Sequence, residues 1–530
     1  MQIISRRLDA SSDRTILAAP CVSALTDLQI GALAVLTLSL AAIPICSYEL
    51  PPLMDYINHL ARMHVIAAIR TDPDLARFYQ IEWQILPNLA MDLTVPLLAR
   101  VMTIYHAGQC FLLATFIAIM SGALALNRAL FRRWSIVPLV ASPLLYNYVF
   151  LTGVLNYLFG VGLALWALAY WIRARERPWP LRFAISTLFV IGLFFSHLAA
   201  LGVYGIGLLA TESLRLWSRR HQPLTRPLIN FFATGLPFLV VVPMLITSPT
   251  LQLISQYWWQ PRGKLDGLIY AVEAYSNVVS FSLLAIFVAG GTWLLRRRLL
   301  LVHPLCWALL GIGGLIYLLM PRGMFATYMT DQRLPVAIAF MLVACIDVDL
   351  RDRFVRRGFI ATLIGMLVVR VVEVDVTWAR LAEPTYEFRA SVSLINKGSK
   401  VLVAYAKSDG GDDLSELGLV HAACIAMIER SALVTTAFTV EGKQILHARP
   451  EYQDLVDTQD GTPPTIKQLR AVADIHTQSS KDGYWRGWPS RYDYLYVLFT
   501  ANDTPNPDPD HLTLLARGTQ FQLYRIKAPQ

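Results

Sequence analysis

Residues 28–62 have the sequence LQIGALAVLTLSLAAIPICSYELPPLMDYINHLAR, an apolar run followed by a polar segment that begins at two prolines. A run of about 20 apolar residues is long enough to cross a bilayer as one helix. About 27 residues precede this run, and no small-x-small cleavage site follows it. We therefore expect a retained membrane helix rather than a signal peptide.

Apolar runs of this kind recur as far as residue 376. Of the 530 residues, 55% are hydrophobic and only 16% are charged, which excludes a soluble globular protein, a coiled coil and a disordered chain. We place eleven predicted spans at 28–46, 106–126, 134–150, 152–172, 183–197, 199–213, 228–247, 278–295, 300–320, 334–347 and 357–376. The apolar run 183–213 is divided at Ser196-His197 because both of its flanks are basic.

The distribution of charge divides the chain and orients it. Residues 1–376 carry a net charge of +11 and residues 377–530 a net charge of −2. With the N-terminus in the cytoplasm, 21 arginines fall in cytoplasmic segments and eight basic residues fall outside, as the positive-inside rule requires. We expect an integral inner or plasma membrane protein with a cytoplasmic N-terminus, an external (periplasmic) C-terminal domain and no nucleic-acid partner. The six cysteines show no disulfide or zinc spacing.

The chain is predicted to have two parts. Residues 1–376 form a multi-span membrane domain whose external loop, 47–105, carries interfacial helices, and residues 377–530 form an external soluble α/β domain. Strand composition occurs at 400–405, 492–499 and 521–526, and helical character at 416–430 and 464–476. The second part contains no Gly-rich phosphate loop, nucleophile elbow or catalytic triad spacing, which favours a recognition or lid role over catalysis.

The segment behind the two prolines predicts an amphipathic helix at the outer membrane surface. Asp55, Asn58, His59 and Arg62 stand at i, i+3, i+4 and i+7, so they share one helical face. A carboxylate there can take a proton from a hydroxyl, and the neighbouring His59 or Arg62 can hold an anionic group. The alternative is that Asp55 caps the helix and pairs with His59 on an ordinary solvated face.

The chain resembles the GT-C superfamily of polytopic glycosyltransferases. The features that carry the resemblance are an acidic residue just beyond the first span, interfacial helices, many spans with basic inner loops and an external α/β domain. The resemblance implies a polyprenyl-phosphate sugar as donor and an acidic residue of the first external loop as catalytic base. The residue at that position is Asp55. The layout resembles that of mannosyltransferases and aminoarabinose transferases of this superfamily.

The chain departs from the superfamily pattern next to Asp55. Many members have two adjacent acidic residues there, whereas Tyr56 follows Asp55 in this sequence. Glu82 or Asp92, in the same loop, is the candidate for a second carboxylate. A divalent metal is therefore one option that the resemblance leaves open, and no other cofactor is implied.

Candidate phosphate-binding residues lie in the loop 321–333. Arg322 and Arg333 flank this loop at the expected headgroup level, where arginine binds phosphate through two parallel hydrogen bonds, and Asp331 belongs to the same candidate set. The alternative is that Arg333 snorkels to the membrane surface and pairs with Asp331. His197 stands deep in an apolar run, and an ionisable residue there is either a functional group facing the cavity or a hydrogen-bonded structural histidine.

Together these features predict an α-helical polytopic membrane protein of about 11 transmembrane helices with a GT-C-like fold. The predicted function is transfer of a sugar from a polyprenyl-phosphate donor to a lipid, glycan or protein acceptor of the cell envelope, on the external face and with inversion. Two other classes stay open. One is a transporter or flippase for lipid-linked glycans, and the other is a non-catalytic envelope-assembly protein.

Overall fold

In the computed structural model, the described residues are 25–527 except 222, 224, 408, 409, 411–413, 415, 460, 474–482, 502 and 503. The α-helices of the first part are α1 Asp27–Ser47, α2 Tyr56–Ala68, α3 Pro73–Phe78, α4 Ala90–Leu98, α5 Ile104–Phe131, α6 Tyr148–Leu151, α7 Leu155–Arg173, α8 Trp179–Ser196, α9 Leu198–Ser218, α10 Thr225–Ala233, α11 Val241–Ile246, α12 Gly263–Ile269, α13 Asn277–Arg296, α14 Leu305–Leu319, α15 Leu334–Ala344 and α16 Arg353–Val392. Short strands are β1 Tyr79–Ile81, β2 Leu300–Val302 and β3 Ile346–Val348.

Six helical segments of the described chain are long and apolar enough to cross a membrane. They are Asp27–Ser47, Ile104–Phe131, Leu155–Glu176, Trp179–Ser196, Thr225–Ile246 and Asn277–Arg296. On α13 the large apolar side chains point outward, with Val278, Phe281 and Trp293 exposed by 77%, 53% and 47%. Such a surface requires lipid rather than water around it. The chain is an integral membrane protein, whereas the full count of eleven crossings stays a prediction.

Prolines interrupt some of the apolar runs, which therefore do not form continuous helices. The predicted span 134–150 is a 3-10 helix, Val137–Leu144, followed by the single turn α6, because Pro138 and Pro143 each remove a helical hydrogen bond. The prediction of one regular helix there is wrong. The division of 183–213 at Ser196-His197 is confirmed, since α8 ends at Ser196 and α9 begins at Leu198.

The 40-residue helix α16 continues past residue 376, so the predicted boundary between the two parts falls inside it. The apolar composition ends near residue 376. Beyond it, Trp378 and Phe388 are fully buried, so one side of the helix stays packed against the protein. The Phe388 ring stacks on the Tyr496 ring of the C-terminal sheet, with centroids 4.3 Å apart. Burial of these aromatic rings explains why the helix extends beyond the apolar run.

The C-terminal unit is a mixed five-stranded sheet. Its strands are β4 Lys400–Tyr405, β5 Leu433–Val434, β7 Tyr494–Leu498, β8 Leu512–Arg517 and β9 Phe521–Ile526, in the order β5-β4-β7-β9-β8. β4 is parallel to β5 and β7, and β9 is antiparallel to β7 and β8. Its helices are α17 Leu417–Val420, α18 Ile425–Arg430, α19 Ile466–Val472 and α20 Trp488–Arg491. The three predicted strands and both helical regions are confirmed.

The C-terminal unit docks directly on the loop between the first two spans. β1 of this loop pairs antiparallel with β6, Leu446–Ala448. The Tyr79 hydroxyl donates to the carbonyl of Ala432 (3.2 Å), and the Ser431 hydroxyl donates to Asp72 (2.7 Å). These bonds are between groups more than 350 residues apart, and they bring the C-terminal unit against α2.

Helix α2 is buried, in contrast to the solvated face that the capping alternative required. Nine of its 13 residues are buried, including Asn58, His59 and Arg62. α4 and α5 pack on it from the membrane part, and α18 packs on it from the C-terminal unit. That alternative is wrong, because the polar face of α2 is covered by chain that lies far away in sequence.

Candidate active site

Asp55 occupies the N-cap position of α2, but its side chain makes no capping hydrogen bond. The chain enters the helix through a backbone bond from Met54 N–H to the carbonyl of Leu151 (3.1 Å). The Asp55 side chain is 28% exposed, in a molecule whose neighbouring α2 residues are almost fully buried. Its carboxylate is therefore available to a ligand, which the capping alternative would not allow.

A glycine turn fixes the place of Asp55. Gly153 has φ +82°, a conformation that residues with a Cβ rarely adopt. A Cβ at this position would lie 2.8 Å from the Asp55 nitrogen and 3.0 Å from its Cβ. The close approach of the two backbones therefore depends on glycine at position 153.

The C-terminal unit contributes His421 to the surroundings of Asp55. The His421 Nε2 lies 3.6 Å from the nearer Asp55 carboxylate oxygen. The His421 Nδ1 lies 3.1 Å from the Asn58 Nδ2, which also donates to the carbonyl of Thr436 (2.8 Å). The Asn58 Oδ1 accepts from the backbone N–H of Phe438 (3.0 Å). Asn58, a predicted binding residue, thus joins α2 to the C-terminal unit.

His59 contributes an uncharged imidazole ring to the site. It is 8% exposed, its ring packs edge-on against Phe438, and its Nδ1 has no hydrogen-bond partner within the described chain. Burial, supported by the charge of Arg62, lowers the pKa of His59 to about 3. His59 is therefore uncharged at neutral pH and cannot hold an anion by charge.

Arg333 stands at the N-terminus of α15, where helix dipole and side chain both favour an anion. Its Nη2 donates to the carbonyl of Tyr328 (2.8 Å), and its Nη1 lies 3.1 Å from the His197 Nε2. Its Nε is buried and bonds to none of the described residues. Asp55 is near enough for its charge to act on Arg333. The alternative pairing of Arg333 with Asp331 does not occur.

The contact between Arg333 and His197 leaves two hydrogen-bond donors without an acceptor. The His197 Nδ1 accepts the backbone N–H of Ala199 (3.1 Å), so the proton of the neutral ring is on Nε2. The Nε2–H and the Arg333 Nη1–H then face each other. An oxygen atom between them, such as one from a phosphate, would satisfy both donors.

Asp55, His421 and the Arg333–His197 pair line one cavity of about 1240 Å³ between the two parts of the molecule. Four predicted site residues line it, namely Asp55, His59, His197 and Arg333. Polar and aromatic side chains of the membrane part that also line it are Tyr148, Asn156, Tyr157 and Trp258, and those of the C-terminal unit are His421, Thr436, Phe438, Lys443 and Gln444. A carboxylate, a cation and amide or phenol groups thus share one chamber.

Asn58 and five other predicted site residues are not among the residues that line this cavity. Arg62 and Asp92 form a buried ion pair with each other (2.8 Å). Arg322 and Lys264 both pair with the fully buried Asp331, at 3.0 Å and 2.9 Å. The Glu82 carboxylate accepts from Gln80 and Gln84 at an exposed position. The buried pairs have a structural explanation, because an unpaired buried charge is costly.

We expect Asp92→Asn to lower the free energy of unfolding by about 3–5 kcal/mol, because it leaves the buried Arg62 guanidinium without its counter-charge. Chemical denaturation of the detergent-solubilised protein measures the change. The control is Asp349→Asn, whose partner Arg351 is 66% exposed, and we expect it to cost about 0–1 kcal/mol. Equal stability of the Asp92→Asn variant and the wild type would contradict a structural role.

The described residues do not provide a metal site. No three His, Cys, Asp or Glu side chains within them come close enough together to hold an ion. Glu82 and Asp92, the candidates for a second carboxylate, both lie away from Asp55. Side chains of the described residues alone therefore do not complete an all-protein metal site.

Comparisons with known proteins give a match among the solved structures. No family model matches the sequence, and no curated protein matches it. Among solved structures, ArnT from Cupriavidus metallidurans, bound to undecaprenyl phosphate, aligns with 94% of this chain and 98% of its own. The TM-score is 0.51 and the sequence identity is 10%.

The chain shares the fold of this ArnT structure. The predicted resemblance is confirmed at this level, since the alignment covers nearly the whole of both chains and includes the C-terminal unit. At 10% identity the likeness establishes the fold alone. Asp55 lies in the loop that follows the first span of this fold.

His421 was missed by sequence reasoning, because the predicted role of the C-terminal domain was recognition or a lid. Nothing in the local sequence of His421 resembles a motif, and the C-terminal unit reaches Asp55 only through docking of distant segments. Tyr148, Asn156 and Tyr157 carry phenol and amide groups, which suit sugar hydroxyls. All three line the cavity.

Proposed function

We propose that this protein is an inverting glycosyltransferase that moves a sugar from a polyprenyl-phosphate donor to a hydroxyl of an envelope acceptor on the external face. The observation that carries the proposal is a single cavity lined by an accessible carboxylate, Asp55, and by the facing nitrogen atoms of Arg333 and His197. Transfer from a sugar phosphate needs both groups, a base for the nucleophile and a cation for the leaving phosphate.

In the proposed reaction Asp55 accepts the proton of the acceptor hydroxyl. The acceptor oxygen attacks the anomeric carbon from the face opposite the phosphate, and the bond between that carbon and the phosphate oxygen breaks. The electron pair of that bond goes to the polyprenyl phosphate. The Nη1–H of Arg333 and the Nε2–H of His197 stabilise the charge that develops on the phosphate oxygens.

The walls of the cavity suit a sugar between these two charged ends. Asn156 is held by two bonds, its Oδ1 accepting from Met91 N–H (2.9 Å) and its Nδ2 donating to the carbonyl of Asn88 (2.7 Å). Tyr148 stacks on Tyr270 with ring centroids 4.0 Å apart. Side chains that are fixed before the ligand arrives lose little entropy on binding, which favours an ordered sugar subsite.

The experiment that tests the proposal is an assay of the purified protein with polyprenyl-phosphate sugars of several kinds. Release of polyprenyl phosphate that depends on an added acceptor supports the transferase. NMR of the product determines whether the anomeric configuration is inverted. Movement of intact donor across proteoliposomes without cleavage would instead support a flippase.

We expect Gly153→Ala to lower kcat by about 10-fold, because the new Cβ and the left-handed backbone displace Asp55 from its position. Turnover of donor at equal protein concentration is the measurement. Gly192→Ala is the matched control, since a Cβ there meets no atom within 4 Å. Equal turnover by the Gly153→Ala variant and the wild type would show that this turn does not hold the base.

A further inference from the structure

We propose that His421, from the C-terminal unit, is a positioning residue that donates a hydrogen bond to Asp55 and holds its carboxylate ionised and oriented towards the acceptor. The inference rests on the proposed function and names a second residue of the same site. It follows from a chain of hydrogen bonds that runs from the backbone of the C-terminal unit through Asn58 to His421, whose Nε2 lies 3.6 Å from the Asp55 carboxylate.

The backbone of the C-terminal unit fixes the orientation of the Asn58 amide. The Phe438 N–H can only donate, so the atom that it contacts is the Asn58 oxygen. The Thr436 carbonyl can only accept, so the atom facing it is the Asn58 nitrogen. The same nitrogen faces the His421 Nδ1 at 3.1 Å. Asn58 is therefore a donor to His421.

This orientation selects one tautomer of His421. Because Nδ1 accepts from Asn58, the proton of the neutral ring is on Nε2. Nε2 is the ring nitrogen that faces Asp55, at 3.6 Å from its carboxylate oxygen. That distance is too long for a hydrogen bond, but such contacts often shorten when substrate binds. An N–H group is thus aimed at the proposed base.

The same tautomer excludes His421 as acceptor of the proton that Asp55 takes up. Nε2 already carries hydrogen, and the lone pair of Nδ1 is occupied by the Asn58 N–H. Proton transfer from Asp55 to His421 would require the ring to lose its bond to Asn58. The geometry therefore assigns His421 a donor role, which stabilises the carboxylate before it reacts.

Other charged or titratable groups near Asp55 do not replace this contact. His59, on α2, is buried and neutral. Arg333, at the N-terminus of α15, has its guanidinium directed to His197 and to the Tyr328 carbonyl. Lys443, from the C-terminal unit, lines the same cavity. His421 alone among these places an N–H within 4 Å of the carboxylate, as far as the described residues extend.

This assignment gives the C-terminal unit a part in the chemistry. The bonds from Thr436 and Phe438 to Asn58 exist only when the unit is docked on α2. Undocking would remove both His421 and the group that sets its tautomer. Asp55 therefore has its His421 contact only when the C-terminal unit is docked on the membrane part.

The test compares His421→Leu with His421→Gln in the full-length protein, using the turnover assay with the polyprenyl-phosphate sugar that the wild type accepts. Leucine removes the N–H, so we expect kcat to fall by about 10-fold to 100-fold with little change in KM for the donor. Glutamine keeps an N–H donor at a similar reach, so we expect it to restore most of kcat. His511→Leu, which removes a histidine paired with Asp508 outside the cavity, is the matched control.

The pH profile separates positioning from a structural role. Leucine removes an N–H that stabilises the charged carboxylate, so the acid limb of kcat is expected to move to higher pH in His421→Leu and to stay in place in His421→Gln. If the wild type is active and His421→Leu is equally active, the role of His421 is overturned and the proposed function stands. The same holds if His421→Leu has a lower kcat but its acid limb does not move. A wild type without transfer activity would overturn the proposed function and this role with it.

Discussion

The Asp55→Asn variant is expected to lose transfer activity by about 100-fold to 10,000-fold in kcat, the range that a general base contributes. Asparagine has the same shape as aspartate but cannot take the proton of the acceptor hydroxyl. Its effect on folding should be small, because the Asp55 side chain makes no capping bond and is 28% exposed. Initial rates of polyprenyl phosphate release measure the loss.

Glu82→Gln is the matched control for Asp55→Asn. Glu82 lies in the same loop between the first two spans, but its carboxylate is at an exposed position and bonds to Gln80 and Gln84. We expect its rate to equal that of the wild type. An unchanged rate for Asp55→Asn, or a loss in Glu82→Gln as large as in Asp55→Asn, would contradict the assignment of the base.

The Arg333→Met variant is expected to lower kcat/KM for the donor by about 100-fold to 1,000-fold, the effect of removing one group that stabilises developing charge. The loss should appear in both kcat and donor affinity, because the phosphate is charged before and after transfer. Arg333→Lys should recover only part of the activity, since lysine keeps the charge but loses the planar fork. Steady-state kinetics over a range of donor concentrations measures both parameters.

Arg262→Met is the control for Arg333→Met. Arg262 is exposed, precedes α12, and does not line the cavity. We expect its kinetics to match those of the wild type. If Arg333→Met retained full kcat/KM, the phosphate would have to be held elsewhere, and the two facing donors of Arg333 and His197 would need another explanation.

Local sequence was sufficient for the features that depend on neighbouring residues. The Asp55 segment was predictable because two prolines set the start of α2 and the helical spacing follows from the sequence. The break at Ser196-His197 was predictable from the basic flanks of a run long enough for two helices. Arg333 and His197 were predictable as single polar groups in apolar surroundings, although their contact was not.

Features that depend on contacts between distant segments could not be predicted from the sequence. The polar face of α2 looked solvated because the segment that covers it, from Thr436 to Phe438, lies nearly 380 residues later. Arg322 and Arg333 looked equivalent as the two ends of one loop. Arg322 pairs with Asp331, as does Lys264, whereas the Arg333 side chain lines the cavity. The difference between the two arginines depends on the packing of α12 against α15.

The measurement that tests the central claim most directly is mass spectrometry of envelope glycans and polyprenyl-phosphate sugars in a deletion strain complemented with wild type or with Asp55→Asn at equal protein levels. We predict that Asp55→Asn matches the deletion, with one sugar missing from a glycan and its lipid-linked donor accumulated. The missing sugar then identifies the substrate. Full restoration of the glycan by Asp55→Asn would contradict the account and favour a flippase or an assembly protein with the same fold.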